Sequence, residues 1–240
     1  MVGVLLGCMA LGACGGPGYF TLEGATMGTY YRITALCPGG EAEAMAQRVE
    51  TTLQRVNGQM STYLPDSELS RLNQAPVGVW LPASDSLREV ISAALKINGM
   101  SDGAFDVTVG PLVNLWGFGP DGNITQAPSQ AAIDNALERT SSRYLELDEK
   151  QGALLKQRAL YIDLSAIAKG YGVDQVAEAL MQAGCRDQLV DIGGEVAARG
   201  RNPGGRFWQI GIEVPDPERF GAVERIVPLD DMAVATSGDY

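Results

Sequence analysis

Residues 163–174 read Asp163-Leu164-Ser165-Ala166-Ile167-Ala168-Lys169-Gly170-Tyr171-Gly172-Val173-Asp174, and the rest of the chain is arranged around them. Tyr161 and Ile162 just before are β-formers, so a strand is predicted over Leu160–Asp163. Ser165 is a residue type that caps helices. Ala166, Gly170, Val173, Ala177 and Leu180 then recur at three and four, the spacing of one helix face, and Gly184 ends the run after Ala183. A carboxylate therefore closes a strand where a helix opens. Free N–H groups and the positive end of the helix dipole make such an opening favourable to anions. Lys169 stands in the first turn, where the dipole disfavours a cation, so a partner for it is expected. Gly170 and Gly172 each weaken a helix by about 1 kcal/mol, and they admit a flat or bulky group. These residues alone fit two readings. One is an ordinary strand-to-helix junction of an α/β unit. The other is a site for a phosphate-bearing ligand, with a divalent cation reconciling Asp163 with the phosphate charge.

The 240-residue chain is long enough for one large domain or two small ones with a full core. Its 18 basic and 29 acidic side chains give a net charge of −11, which argues against nucleic acid as a partner. There is no histidine, so a His-based triad and a His-ligated zinc are excluded within this sequence. Met1 to Cys14 is uncharged and mostly apolar or glycine, as in the apolar part of a secretory signal. A bilayer span takes about 20 apolar residues, more than this segment holds. Leu11-Gly12-Ala13-Cys14 resembles a bacterial lipobox, whose cysteine is lipidated after cleavage. Leu5-Leu6-Gly7-Cys8 fits the same pattern but leaves almost no apolar run before it, so Cys14 is the expected lipidation site and 15–18 the tether. An oxidising compartment would permit a Cys37–Cys185 disulfide. Sequence separation says nothing about proximity, and two small buried hydrophobes are the more frequent outcome.

Strands are expected over Phe20–Leu22 and Thr29–Leu36, with a glycine-flanked turn at Gly24–Gly28. Met27 in that turn is half-exposed, placed either to lie on a flat ring or to plug the core. Helices are expected over Glu41–Val56, stopped by Asn57-Gly58, and over Ser84–Asn98, stopped by Gly99. A short helix capped by Asp66 or Ser67 follows Tyr63, and for Tyr63 itself packing is favoured over stacking on a ligand. In 102–112 two acids, Asp102 and Asp106, flank Gly103-Ala104-Phe105, and Gly110-Pro111 opens a new turn. Small, aromatic and acidic residues crowd there, as a planar heteroaromatic ligand with a ribityl arm would require. Beyond a third helix over Ser129–Thr140, short antiparallel strands are expected over Tyr144–Leu147, Leu154–Lys156 and Leu160–Asp163. Later strands fall at Leu189–Glu195, Phe207–Val214, Val223–Leu229 and Met232–Thr236.

Seven short motifs occur in order: Met27-Gly28-Thr29; Ser61-Thr62-Tyr63; Asp102–Asp106 running into Val109-Gly110-Pro111-Leu112-Val113; Leu115-Trp116-Gly117-Phe118-Gly119; the Asp163 stretch; Asp191-Ile192-Gly193-Gly194; and Thr236–Tyr240. Together they resemble the ApbE family, the FAD:protein FMN transferases, from about Thr21 onward. The resemblance implies an α+β, ApbE-like (T-fold-like) architecture, with mixed or antiparallel sheets packed by helices, over residues 19–240. It implies a Mg²⁺-dependent transfer of the FMN half of FAD to a Ser or Thr hydroxyl of an acceptor flavoprotein, with release of AMP. Family positions put Met27, Tyr63, Ala104, Phe105, Asp106, Asp163 and Lys169 at the flavin nucleotide, and Ala166 at the metal through its backbone carbonyl. The general base, a histidine in a His-x-Ile-Asp-Pro segment, and the remaining metal ligands fall beyond residue 240, so a C-terminally incomplete chain is expected. Acceptors implied are subunits of redox-driven ion pumps and similar electron-transfer proteins, met at the periplasmic face of a membrane through the lipid. Mg²⁺-dependent FAD hydrolysis and non-catalytic flavin binding by a lipoprotein are the alternatives.

Overall fold

The computed structural model describes residues 18–120, 126–214 and 221–237. Cys14 with its lipobox, the Pro215-Asp216-Pro217 connection and the Gly238–Tyr240 end of the last motif lie outside them. Strands β1 (Tyr19–Thr26) and β2 (Thr29–Leu36) pair antiparallel along their whole length. The turn is only Met27-Gly28, both left-handed at φ 50° and 73°, which matches the twist of a two-residue hairpin. The expected turn at Gly24 is therefore strand.

Helix α1 (Ala42–Met60) runs past the predicted stop at Asn57-Gly58. Met60 is buried there, and the Asn57 amide donates to Thr26 Oγ1 at 3.1 Å, so tertiary contacts override the local stop signal. Helix α2 (Glu68–Gln74) is capped by Ser67, which accepts from Ser70 N. Strand β3 (Leu81–Pro82) precedes α3 (Asp85–Met100), which Ser84 caps and which continues through Gly99. Helix α4 (Gly110–Leu115) opens on Pro111, and α5 (Gln130–Glu138) is capped by Ser129. Strands β4 (Leu145–Asp148) and β5 (Ala153–Lys156) form a hairpin with β3 on its other side, in the order β3-β5-β4. Leu160–Asp163, predicted as the third strand here, joins no ladder among the described residues. Helix α6 (Ala168–Gln182) starts two residues later than a cap at Ser165 predicts. Its N-cap is Ile167, without a side-chain cap, because the Ser165 N–H is turned back onto Asp163 Oδ1 at 2.8 Å.

The predicted single strand 189–195 is two strands, β6 (Asp187–Ile192) and β7 (Glu195–Arg199), folded back at Gly193-Gly194. Strands β8 (Trp208–Glu213) and β9 (Val223–Leu229) form a separate ribbon, and β10 (Met232–Ala235) pairs with β7. The main sheet has the order β1-β2-β6-β7-β10, and every ladder among the described residues is antiparallel.

Two cores share α1. Met45, Val49 and Leu53 of its first half meet Ile33, Val190 and Ile192 of the sheet and Val173, Val176 and Leu180 of α6. Val56 and Met60 of its second half meet Leu69, Leu72, Leu87, Ile91, Leu154, Ile162 and Leu164. Full burial of each such side chain stabilises by about 1.5–3 kcal/mol. Cys37, at the end of β2, is joined to Cys185, between α6 and β6, in a disulfide with Cα atoms 4.2 Å apart. Both are buried, so the expectation of two unpaired small hydrophobes is corrected. The bond clamps the far end of α6 to the sheet and leaves its N-terminal end at the seam between the cores.

Candidate functional site

That seam gathers side chains from four separate segments. Met27 touches both cores. Phe105, Ile167, Ala168 and Tyr171 lean on the edge of the second. At Gly172 an added Cβ would lie 2.9 Å from Met27 Cε, so only glycine lets α6 approach the Met27 turn this closely. Asp163 N donates to Val107 O at 2.8 Å, which ties the acidic segment to the loop after α3. Its carboxyl, on a residue only 5% exposed, accepts from Ser165 N and faces the turn that opens α6.

Lys169 has the partner its position called for. Its Nζ lies 2.7 Å from Glu195 Oε2 and 3.3 Å from the Gly193 carbonyl. The glycine pair makes this possible by folding β7 back, with φ of 55° at Gly193 and 90° at Gly194. Gly194 N donates to Asp191 Oδ1 at 3.1 Å, and Thr236 Oγ1 donates to Gly194 O at 3.0 Å. Burial pushes the Asp191 carboxyl above its ordinary value and the Glu195 charge adds to this, against the Gly194 N–H, Arg32 and Lys169. A groove of about 270 Å³ beside the pair is lined by Gly170, Val173, Asp174, Glu195, Val196 and Ala233–Ala235. Pockets for drug-sized ligands span roughly 300–1,000 Å³, so this groove falls just short of one such pocket by itself. A larger cavity of about 440 Å³ between α4 and α5 includes none of the predicted site residues.

A family model described as the ApbE family matches residues 27–240. The chain belongs to the ApbE family. Among its relatives, the FAD:protein FMN transferase of Haemophilus influenzae is 41% identical over 227 residues, 92% of this chain and 66% of that protein. The FAD:protein FMN transferase of Vibrio cholerae is 41% identical over 223 residues, again 66% of its length. The chain thus spans just under two thirds of these curated relatives. Among solved structures, the flavin transferase ApbE from Vibrio cholerae superposes with a TM-score of 0.86 at 41% identity, covering 92% of this chain and 72% of that one. The apo flavinyl transferase ApbE of Pseudomonas stutzeri gives 0.81 at 39% identity, covering 92% and 71%. These likenesses agree with the α+β, antiparallel-sheet ApbE architecture expected from the motifs.

Of the residues that the ApbE motifs single out, Met27 meets α6 at Gly172, Asp163 precedes the turn that opens α6 and Lys169 stands in its first turn, while Phe105 packs against the second core. Tyr63 does not pack, contrary to expectation. It is 60% exposed and donates from its hydroxyl to Phe118 O at 2.8 Å. Ala104 sits in the loop whose backbone is pinned by Ser101, with Ala104 N on Ser101 O and Phe105 N on Ser101 Oγ. The Asp106 carboxyl is fully engaged inside the protein. Oδ1 accepts from Thr108 N, Thr108 Oγ1 and Ser142 Oγ, and Oδ2 from Ser142 N and Asn98 Nδ2. Burial alone would raise its pKa. The Ser142 and Thr108 hydrogen bonds outweigh burial and hold it below the usual carboxylate range. Asp106 therefore shapes the 104–106 backbone rather than presenting a free charge.

Ala166 lies exposed in the turn before α6, and among the described residues no backbone N–H donates to its carbonyl. It fits as one hard oxygen donor for Mg²⁺. The described residues contain no group of three or more His, Cys, Asp or Glu that could hold a metal. Sequence reasoning missed Glu195. A Gly-Gly pair between two β-prone runs is a hairpin signal, and reading it so would have returned Glu195 to Lys169.

The Met27–Gly172 contact makes an unusual prediction. Gly172→Ala removes a helix-weakening glycine, a gain of about 1 kcal/mol in a helix interior, but displaces the Met27 methyl. Thermal unfolding is expected to stay within a few degrees of the parent while flavin retention weakens several-fold; calorimetry and an FAD titration on one preparation check both.

Proposed function

We propose that this chain carries the flavin-nucleotide site of an enzyme that transfers the FMN moiety of FAD to a Ser or Thr hydroxyl of an acceptor flavoprotein, with Mg²⁺, releasing AMP. The observation that supports it most is that Lys169, held by Glu195 and the Gly193 carbonyl, stands in the first turn of the helix that the buried Asp163 segment opens and that Met27 meets at Gly172. In the transfer, a phosphorus–oxygen bond forms to the acceptor hydroxyl, the bridging oxygen of the pyrophosphate leaves on AMP with the electron pair, and the hydroxyl proton passes to a base. Such chemistry rests on positioning and charge neutralisation. Lys169, held by Glu195 and the Gly193 carbonyl, supplies a cation that a diphosphate would share. The Ala168 N–H at the start of α6 is already taken by Leu164 O, so the Lys169 and Gly170 N–H groups of its first turn are the backbone donors beside it. Met27 and Phe105 supply apolar surface for a flat ring. A divalent cation, when bound at Ala166 and other oxygens, offsets charge on the phosphates. No base is assigned among the described residues.

Acceptors of the expected kind are flavoprotein subunits of redox-driven ion pumps. A lipid on Cys14 would hold the protein at the periplasmic membrane face, with 1–18 as signal and tether. The Cys37–Cys185 disulfide supports an oxidising compartment. The test is incubation with FAD, Mg²⁺ and an acceptor protein, read as flavin fluorescence on the denatured acceptor and as AMP. Covalently yellow acceptor with matching AMP is expected. Free FMN and AMP without acceptor would instead mark hydrolysis, and FAD held without AMP would mark binding alone.

A further inference from the structure

The segment Leu160–Leu164 alternates like a strand, with Leu160, Ile162 and Leu164 buried in the second core, yet among the described residues no strand pairs with it. Its edge is satisfied by a side chain. Asn73, in the last turn of α2, donates from Nδ2 to Ile162 O at 2.8 Å and accepts at Oδ1 from Ile162 N at 2.7 Å. A carboxamide carries a donor and an acceptor on one plane, as a peptide does, so Asn73 stands in for one residue of a neighbouring strand. Behind it, the buried Lys156 of β5 donates from Nζ to the Asn73 carbonyl at 2.6 Å, placing a cation at the C-terminal end of α2. At its other end α2 is tied to the Tyr63 loop, because Ser67 Oγ and Ser70 Oγ both donate to Ser61 O while Tyr63 N donates to Ser61 Oγ. One short helix thus links the segments that carry Tyr63 and Asp163.

We infer that Asn73, backed by Lys156, is a positioning residue for Asp163: its amide holds Ile162 so that the next residue's carboxyl is delivered to the opening of α6. The flavin readout of this inference rests on the function proposed above; the backbone readout does not. The charged group against Asn73 is Lys156 of β5, whose Nζ lies 2.6 Å from the Asn73 carbonyl.

Two variants test it. Asn73→Leu keeps the volume and removes both hydrogen bonds. Asn73→Asp loses the donor while its carboxyl is ionised and regains a donor–acceptor pair when it is protonated. In Asn73→Leu, amide exchange at Ile162 and Asp163 is expected to speed up on the order of tenfold or more, while the α3 and β2 amides keep their parental rates. FAD affinity is expected to fall on the order of tenfold at neutral pH in both variants. Lowering the pH to about 4, the ordinary range of an Asp carboxyl, is expected to narrow the gap to the parent for Asn73→Asp only. Unchanged exchange at Ile162 and Asp163 in Asn73→Leu overturns the inference, as does parental FAD affinity in both variants. Should the parent itself fail to hold FAD, the functional reading falls and the exchange rates alone decide whether Asn73 fixes this segment.

Discussion

Lys169→Met is expected to weaken FAD binding about 10- to 100-fold, the cost of one charge-assisted phosphate contact. The Lys169 side chain is 30% exposed but Glu195 only 18%, with its Oε2 buried. Removing Lys169 therefore also leaves a buried carboxylate without its cation and lowers stability, so binding is compared at a temperature where each variant is fully folded. Methionine keeps the apolar stem that lies along α6. The companion Glu195→Gln frees Lys169 from its carboxylate and keeps the residue's length. It also removes a charge that raises Asp191. Affinity in this variant is expected to match or exceed the parent. Isothermal titration of FAD into both variants checks the pair, and a loss in Glu195→Gln equal to that in Lys169→Met would show that Glu195 binds the ligand itself.

Asp106→Ala is expected to unfold the loop that carries Ala104 and Phe105. Thr108, Ser142 and Asn98 all direct donors at this carboxyl, and the Thr108 and Ser142 residues are buried. A buried donor left without its acceptor costs about 1–3 kcal/mol, so a total loss of about 2–4 kcal/mol is expected in denaturant unfolding. The sign of the pH effect follows from the lowered pKa. The folded form holds its proton less tightly than the unfolded chain, so the carboxylate contributes stability above the ordinary value of 3.8. That contribution is lost as pH falls through the lower folded value. Asp106→Asn, which titrates nowhere in this range, should show a shallower decline of stability below about pH 4 than the parent.

The helices α1, α3 and α5 were legible because their apolar stripes are local signals, and Ser84 and Ser129, where α3 and α5 were expected to begin, cap those two helices. Ends were legible only where local chemistry decides them. Asn57-Gly58 and Gly99 failed as stops because burial of Met60 and continued helical bonding to Ile97 outweigh a glycine. The strand predicted over Leu160–Asp163 shows the opposite limit. Its alternation correctly marks buried positions, but whether a partner is a strand or the amide of Asn73 is a tertiary fact. Lys169 announced a need for a partner without naming Glu195, since the partner arrives through the Gly193-Gly194 fold-back. Cys37 and Cys185, 148 residues apart in sequence, carried no sign of pairing. The motifs identified the family; the structure shows that Asp106 is spent on holding its own loop and that Tyr63 stands open to solvent.

The central claim is that a flavin dinucleotide is held where the Asp163 segment meets the opening of α6. Equilibrium titration of FAD with Mg²⁺ into the parent chain and into Asp163→Ala, with folding of each verified by near-ultraviolet dichroism, tests it most directly. Saturable binding by the parent and a loss of at least about tenfold in the variant is the predicted result. Equal retention of FAD by a folded Asp163→Ala, or no retention by the parent, would contradict the account.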